Sequence, residues 1–183
     1  MGDFGKLLEE QIPRLRRYAR ALTHHAPIAD DLVQDCLVRA VAKQHLWQPG
    51  TDLRAWLFTI LHNQHVNHVR KSSNKGVPVE VEQVAPFLPV EPNAIPSLEL
   101  RDLRAALAQL AIEQREVILL VGLEGMDYEG TAKVLNVPIG TVRSRLSRGR
   151  AELRKLMALV EQPDHSLAAH SPENGRKVLP RAA

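Results

Sequence analysis

A single cysteine, Cys36, stands in a chain of 183 residues, so no internal disulfide can brace the fold, and a reducing compartment suits it. Aromatic residues make up only 4% of the sequence, which argues against an aromatic-rich β-sandwich and favours helices. No apolar run approaches the ~20 residues that span a bilayer. The opening segment MGDFGKLLEEQ has no basic stretch followed by an apolar one, and Lys6 stands where a myristoylation signal wants Ser or Thr. These absences predict a soluble cytoplasmic protein without membrane insertion. No nucleophile triad, phosphate-binding glycine loop or paired-carboxylate arrangement stands out, so catalysis by this chain and a bound cofactor are not expected.

The net charge of +3 is small but unevenly spread. From Arg54 to Gly76 the charges are Arg54, Arg70, Lys71 and Lys75, with no acid among them. From Val77 to Leu100 they are Glu80, Glu82, Glu91 and Glu99 alone, and bases return between Arg143 and Lys155. Two basic patches flanking an acidic connector suit a protein that grips a polyanion at two places, because each neutralised phosphate releases counterions.

Apolar residues recur at helical intervals along most of the chain. Leu8, Ile12, Leu15, Ala19 and Leu22 share one side of a helix that should begin near Pro13 or bend there. Ile28, Leu32, Val33, Cys36, Leu37, Ala40 and Val41 mark a second helix, with Asp30 and Asp31 expected in its first turn, where the helix dipole favours acids. Trp47 to Asp52 reads as a loop, with Asp52 capping a third helix through Trp56, Leu57, Ile60 and Leu61 into the first basic patch. Prolines at 78, 86, 89, 92 and 96 then break all periodicity and predict an extended, semi-stiff linker between two bodies that need not pack together.

Beyond the linker, Leu100, Leu103, Leu107 and Leu110 form one stripe, and Val117, Leu120 and Val121 another that ends at Gly122 or Gly125. Asp127 can cap a short third helix, with Asn136-Val137-Pro138 breaking it before a fourth. On that last helix Val142, Leu146, Gly149 and Leu153 face inward, leaving a small, cationic outer face of Gly140, Ser144, Ser147 and Arg148, with Arg143 at its margin. Arginine can donate two hydrogen bonds to guanine or pair with phosphate, and short serines permit close approach, so the pair of helices matches a helix-turn-helix that reads the major groove.

The segment from Asn136 to Arg150, NVPIGTVRSRLSRGR, resembles nearly residue for residue the region 4 helix-turn-helix of the bacterial sigma-70 family, in its extracytoplasmic-function (group IV) branch. ADDLVQDCLVRA from Ala29 to Ala40 looks like sigma region 2.2, and LRAWLFTI from Leu53 to Ile60 like the start of the promoter-melting helix. The resemblance implies an all-α fold of two small helical domains joined by the proline-rich flexible linker. Residues 5–75 would be the region 2 helical bundle, 76–97 the linker, 98–160 region 4 and 161–183 a disordered tail. It also implies an alternative sigma factor that binds core RNA polymerase and directs it to promoter DNA in a stress or environmental response, with an anti-sigma factor as a further partner.

By position, Asp31, Gln34 and Asp35 would meet the polymerase. Trp47, Asp52, Asn63, Asn67, Arg70 and Lys71 would hold the opened -10 strand, although Trp47 could equally anchor the core, where Trp56 is assigned. Gly140, Thr141, Arg143, Ser144, Ser147 and Arg148 would read the -35 element. Gly130 departs from the family pattern, where an acid completes the capping box with Asp127, and its replacement by alanine should stabilise the second domain. Two other readings compete: a sigma-like decoy or adaptor that binds an anti-sigma protein without initiating transcription, and a conventional helix-turn-helix repressor. His62, His65 and His68 rotate steadily around their helix and are a poor metal set.

Overall fold

The computed structural model describes residues 2–74 and 98–160, and the regular structure there is entirely helical. The expected linker and tail lie outside the described residues. A first group contains α1 (Gly2–Thr23), α2 (Ala26–Ala42) and α3 (Leu53–Asn74), with a 3-10 turn at Gln44–Leu46. A second contains α4 (Leu98–Gln109), α5 (Ile112–Ile118), a π-helical turn at Leu119–Leu123, α6 (Tyr128–Leu135) and α7 (Ile139–Val160).

α1 runs straight through Pro13 instead of beginning there. Pro13 and Glu9 are both exposed, so the backbone bond that proline forfeits lies on the watery side, where solvent can replace it. His24, with φ at 55°, ends the helix in the left-handed region. The His25 ring nitrogen Nδ1 then accepts from the Ile28 amide at 3.3 Å and caps α2. Because that cap starts α2 at Ala26, Asp30 and Asp31 lie beyond its first turn, contrary to expectation, and dipole complementation accounts for little of their presence.

α2 buries Ala29, Leu32, Val33, Cys36 and Ala40. Val41 is the exception to the expected stripe: it is 56% exposed, because its place on the wheel lies with Asp31, Gln34, Asp35 and Val38 on the outer side. Cys36 is the core thiol its apolar neighbours predict. Its S–H donates to the Leu57 carbonyl at 3.5 Å, and burial pushes its pKa up to about 12. The same core holds Tyr18 and Phe58, edge to face with ring centroids 5.0 Å apart.

The caps anticipated from sequence are in place. Asp52 Oδ1 accepts from the Ala55 amide at 3.2 Å at the head of α3, and Asp127 Oδ1 from the Gly130 amide at 2.7 Å at the head of α6. In the second group Leu107, Leu110, Val117, Leu120, Val134, Val142 and Leu146 are buried, whereas Leu100 is 40% exposed, one turn beyond the reach of the core. α7 crosses α5 closely at Gly149, where an added Cβ would come within 2.8 Å of the Ile118 side chain and 3.1 Å of Gln114 Cβ.

Gly130 overturns the stabilisation expected for its alanine variant. A Cβ there would sit 2.8 Å from Asp127 Oδ1, the very oxygen that caps the helix, and 3.1 Å from Met126 Cγ. The propensity gain of about 1 kcal/mol is offset by a cap worth about as much. Gly130→Ala should therefore leave the melting temperature unchanged or lower it. In a double-mutant cycle, Asp127→Ala should cost about 1 kcal/mol in the native background and little in the Gly130→Ala background.

The two groups do not stand apart. Their apolar residues, from Leu8 to Leu146, form one continuous core, with α6 packed on α3 and the π-helical turn packed on α1. Glu124, whose side chain is wholly buried, takes the Arg17 guanidinium at 2.8 and 3.2 Å, while the Glu124 carbonyl accepts from Arg54 at 3.0 Å. Glu116 meets His62 Nδ1 at 2.9 Å. Arg115 reaches back to donate to the Leu22 carbonyl at 2.9 Å, having also bonded Leu107, Ala108 and Leu110 carbonyls in its own domain. The expectation of two bodies that need not pack is thus replaced by a closed pair. The contact combines this apolar packing with polar pairs across it: Arg17 on the Glu124 carboxylate, Arg54 on the Glu124 backbone carbonyl and His62 on Glu116.

Candidate nucleic-acid interface

α6 and α7 are joined by three residues, Asn136 to Pro138, and the turn is built tightly. Asn136 takes the left-handed conformation at φ 51°, ψ 48°, a conformation asparagine tolerates. The Val137 amide bonds the Ala132 carbonyl at 3.1 Å, closing α6, and the Pro138 carbonyl accepts from Thr141 and Val142, opening α7. Thr131, fully buried, donates to the Asp127 carbonyl at 2.8 Å and steadies α6 from inside.

This turn places Gly140, Arg143, Ser147 and Arg148 in the open, with Thr141 and Ser144 half-buried. The Ser144 hydroxyl donates to the Thr141 carbonyl at 3.0 Å, so it can accept from an outside donor as it stands but must turn away from the backbone to donate to one. A shallow groove of about 230 Å³ lies beside them, lined by Tyr128, Arg143, Leu146, Ser147, Arg150 and Arg154. Tyr128, Arg150 and Arg154 are additions to the set read from sequence. The steps from Ser147 to Arg150 and on to Arg154 carried that signal, since three- and four-residue spacings share a helix face.

In the first domain a larger groove, about 410 Å³, runs between α2 and α3. It gathers Asp31, Gln34 and Asp35 with Asn67 and Lys71, residues 32 to 40 positions apart in sequence, and adds Arg39, Gln64 and His68. Asp31 and Asp35 are exposed and take part in no ion pair among the described residues. Gln64 was missed by sequence reasoning: it is only 6% exposed, and neither its amide oxygen nor its nitrogen has a hydrogen-bond partner. Nothing in a lone glutamine on a weak stripe announces this.

Asn63, Asn67, Arg70 and Lys71 are all exposed and fall on one sector of α3. The loop before α3 is a tight turn, with the Thr51 amide and hydroxyl both bonding the Gln48 carbonyl and Gly50 at φ 91°. Trp47 is half-buried, its ring 5.5 Å from Phe4, which also touches Trp56 at 6.5 Å. Asp52 is occupied by its cap and lies 3.8 Å from Arg54.

The three histidines of α3 occupy three different environments. His62 faces Glu116, His68 lines the groove, and His65 is buried without a hydrogen-bond partner. Burial lowers the His65 pKa, against an opposing pull from Glu116. At the domain contact, burial and then the Arg115 charge lower His24 to about 4.

Comparison with known proteins matches both halves of the chain. The family described as the Sigma2 domain of PhyR matches residues 8–62, and Sigma-70, region 4, matches residues 100–153. The ECF RNA polymerase sigma factor EcfG of Rhodopseudomonas palustris is 41% identical over 150 residues, 80% of this chain and 80% of that relative. The sigma factor RpoE of Bartonella quintana, solved in complex with the anti-sigma factor NepR, superposes with a TM-score of 0.77 at 38% identity, covering 87% of this chain and 99% of that one. The anti-anti-sigma factor PhyR of the same organism shares the fold at TM-score 0.56 but only 16% identity, over 84% of this chain and 50% of its own. Among the described residues no helix is long and apolar enough to cross a membrane.

Proposed function

The chain belongs to the extracytoplasmic-function RNA polymerase sigma factors, and on that premise we propose that it binds core RNA polymerase and directs promoter-specific initiation through three surfaces. α7 reads the -35 element as duplex through Gly140, Thr141, Arg143, Ser144, Ser147 and Arg148. The exposed sector of α3 holds the opened -10 strand through Asn63, Asn67, Arg70 and Lys71, with Trp47 and Asp52 shaping the loop beside it. The outer face of α2, with Asp31, Gln34 and Asp35, takes cationic groups of the polymerase. The polymerase supplies the chemistry, and the sigma chain supplies position.

One observation carries this reading: the cationic outer face of α7, with Arg143 and Arg148 exposed, follows a three-residue turn from a well-capped α6. A helix so presented fits a major groove, and arginine there both neutralises phosphate and reads guanine. Each surface alone is small, and tethering both to one polymerase raises their effective concentration. The 41% identity to a sigma factor, against 16% to an anti-anti-sigma factor, favours initiation over the decoy reading. An anti-sigma factor is proposed as a further partner, by likeness to the complex with NepR.

The test is reconstitution of the purified chain with sigma-free core polymerase on promoter templates. Promoter-specific transcripts are expected; a decoy would yield none, and a repressor would only inhibit. Within this assay Asp35→Lys should weaken polymerase binding at least ~10-fold, since a charge-assisted contact becomes a like-charge one. Binding of the variant to a -35 duplex should be unaffected.

A further inference from the structure

The groove between α2 and α3 contains a side chain that the fold leaves unserved. Gln64 follows Leu57 and Leu61 along α3 at helical spacing, and both leucines are wholly buried, so its place on the wheel belongs to the core. The residue is 6% exposed, and neither its amide oxygen nor its amide nitrogen has a hydrogen-bond partner. A leucine or methionine would fill such a place with apolar atoms alone. A buried amide without partners instead destabilises the free chain.

Gln64 lines the groove of about 410 Å³, so its amide is reached from outside, between the two helices. A group that satisfies it must donate to Oε1 and accept from Nε2. A guanidinium or an ammonium only donates, and a carboxylate only accepts. Another amide does both, whether a side chain of Asn or Gln or a peptide group, and so does the edge of a nucleobase.

Charge decides between these two. Asp31 and Asp35 line the groove from α2, exposed and in no ion pair among the described residues, while Arg39 and Lys71 line it as well, so two acids stand against two bases. A strand with a phosphate at every nucleotide gains little from a surface whose charges cancel. A polypeptide can set bases on the two acids and acids on the two bases. Asp31 and Asp35 also belong to the outer face of α2 assigned to the polymerase, and the groove continues that face inward.

We propose that the α2–α3 groove receives a segment of core polymerase that brings an amide group to Gln64, with cationic side chains for Asp31 and Asp35 beside it. Gln64 is then a specificity-determining residue of the polymerase contact, placed in the core and not on the surface. The inference rests on the sigma-factor reading and adds a second kind of recognition to it. Charge steers the encounter, and the buried amide rejects a segment that lacks its complement, because polar atoms then stay unpaired. The same amide weakens the free chain, so stability and binding pull on Gln64 in opposite directions.

That opposition separates a binding role from a structural one. Gln64→Met nearly conserves length and volume and removes both polar atoms. In the full chain it should raise the melting temperature by about 3 °C and lower the affinity for sigma-free core polymerase about tenfold. Gln64→Asn keeps the amide but withdraws it by one methylene, and should lose affinity without the gain in melting temperature. With polymerase saturated by the Gln64→Met chain, affinity for a single-stranded -10 oligonucleotide should match that of the native complex. Native polymerase affinity in Gln64→Met overturns the proposal, and so does a weaker affinity accompanied by a lower melting temperature, the mark of a residue that only supports the fold. Loss of oligonucleotide binding with polymerase binding intact would assign the amide to a nucleobase and overturn it as well. If the native chain itself does not bind polymerase, the sigma-factor reading fails and the inference falls with it.

Discussion

Arg148→Ala is expected to lower -35-dependent transcription by roughly 5- to 150-fold, and Arg143→Ala/Arg148→Ala further, with affinity for core polymerase unchanged. The range follows from about 1–3 kcal/mol for a bidentate arginine contact to a base edge. Both side chains are exposed on α7, and neither takes part in an ion pair among the described residues, so their loss removes no packing. Template-dependent transcription with matched and altered -35 sequences separates their roles. Loss of discrimination marks the base reader, whereas a uniform decline with a salt slope reduced by about one marks a phosphate contact. Equal loss of transcription and polymerase binding would indicate a structural defect instead.

Phe58→Ala should cost about 3–5 kcal/mol of stability, read as a fall in the urea midpoint with little change in slope. Phe58 is 1% exposed, and its edge-to-face contact with Tyr18 ties α3 to α1. Such a loss is a large fraction of the ~5–15 kcal/mol that holds a domain together. Because Phe58 belongs to the continuous core that also reaches the second domain, loosening it should also release the closed arrangement. Leu100→Ala offers the contrast: at 40% exposure it should change stability by no more than about 0.5 kcal/mol.

The helices of both domains, the Asp52 and Asp127 caps, the Asn136-Val137-Pro138 break and the outward face of α7 were legible in the sequence, because each depends on residues within a turn or two of one another. The errors also have local causes. Asp30 and Asp31 missed the first turn because His25, an uncommon cap, starts α2 early enough to leave them outside it. Val41 was assigned inward by a stripe read one residue too wide. Gly130 looked like a weak helix residue because propensity says nothing of what an added methyl group would strike.

The α2–α3 groove is a different matter. Asp31, Asp35, Asn67 and Lys71 were each named from sequence, but their convergence, and the buried Gln64 amide among them, arises only when two helices pack. The same holds with greater force for the domain contact. Arg17 and Glu124 lie 107 positions apart, and His62 and Glu116 lie 54 apart. Periodicity and capping are properties of neighbours along the chain, so the sequence alone determined which helices form, which sides most of them bury and where their cationic faces lie. Which cation meets which carboxylate across a domain boundary depends on the global path of the backbone. Only the tertiary structure decided that the two domains close on each other, and through which charges.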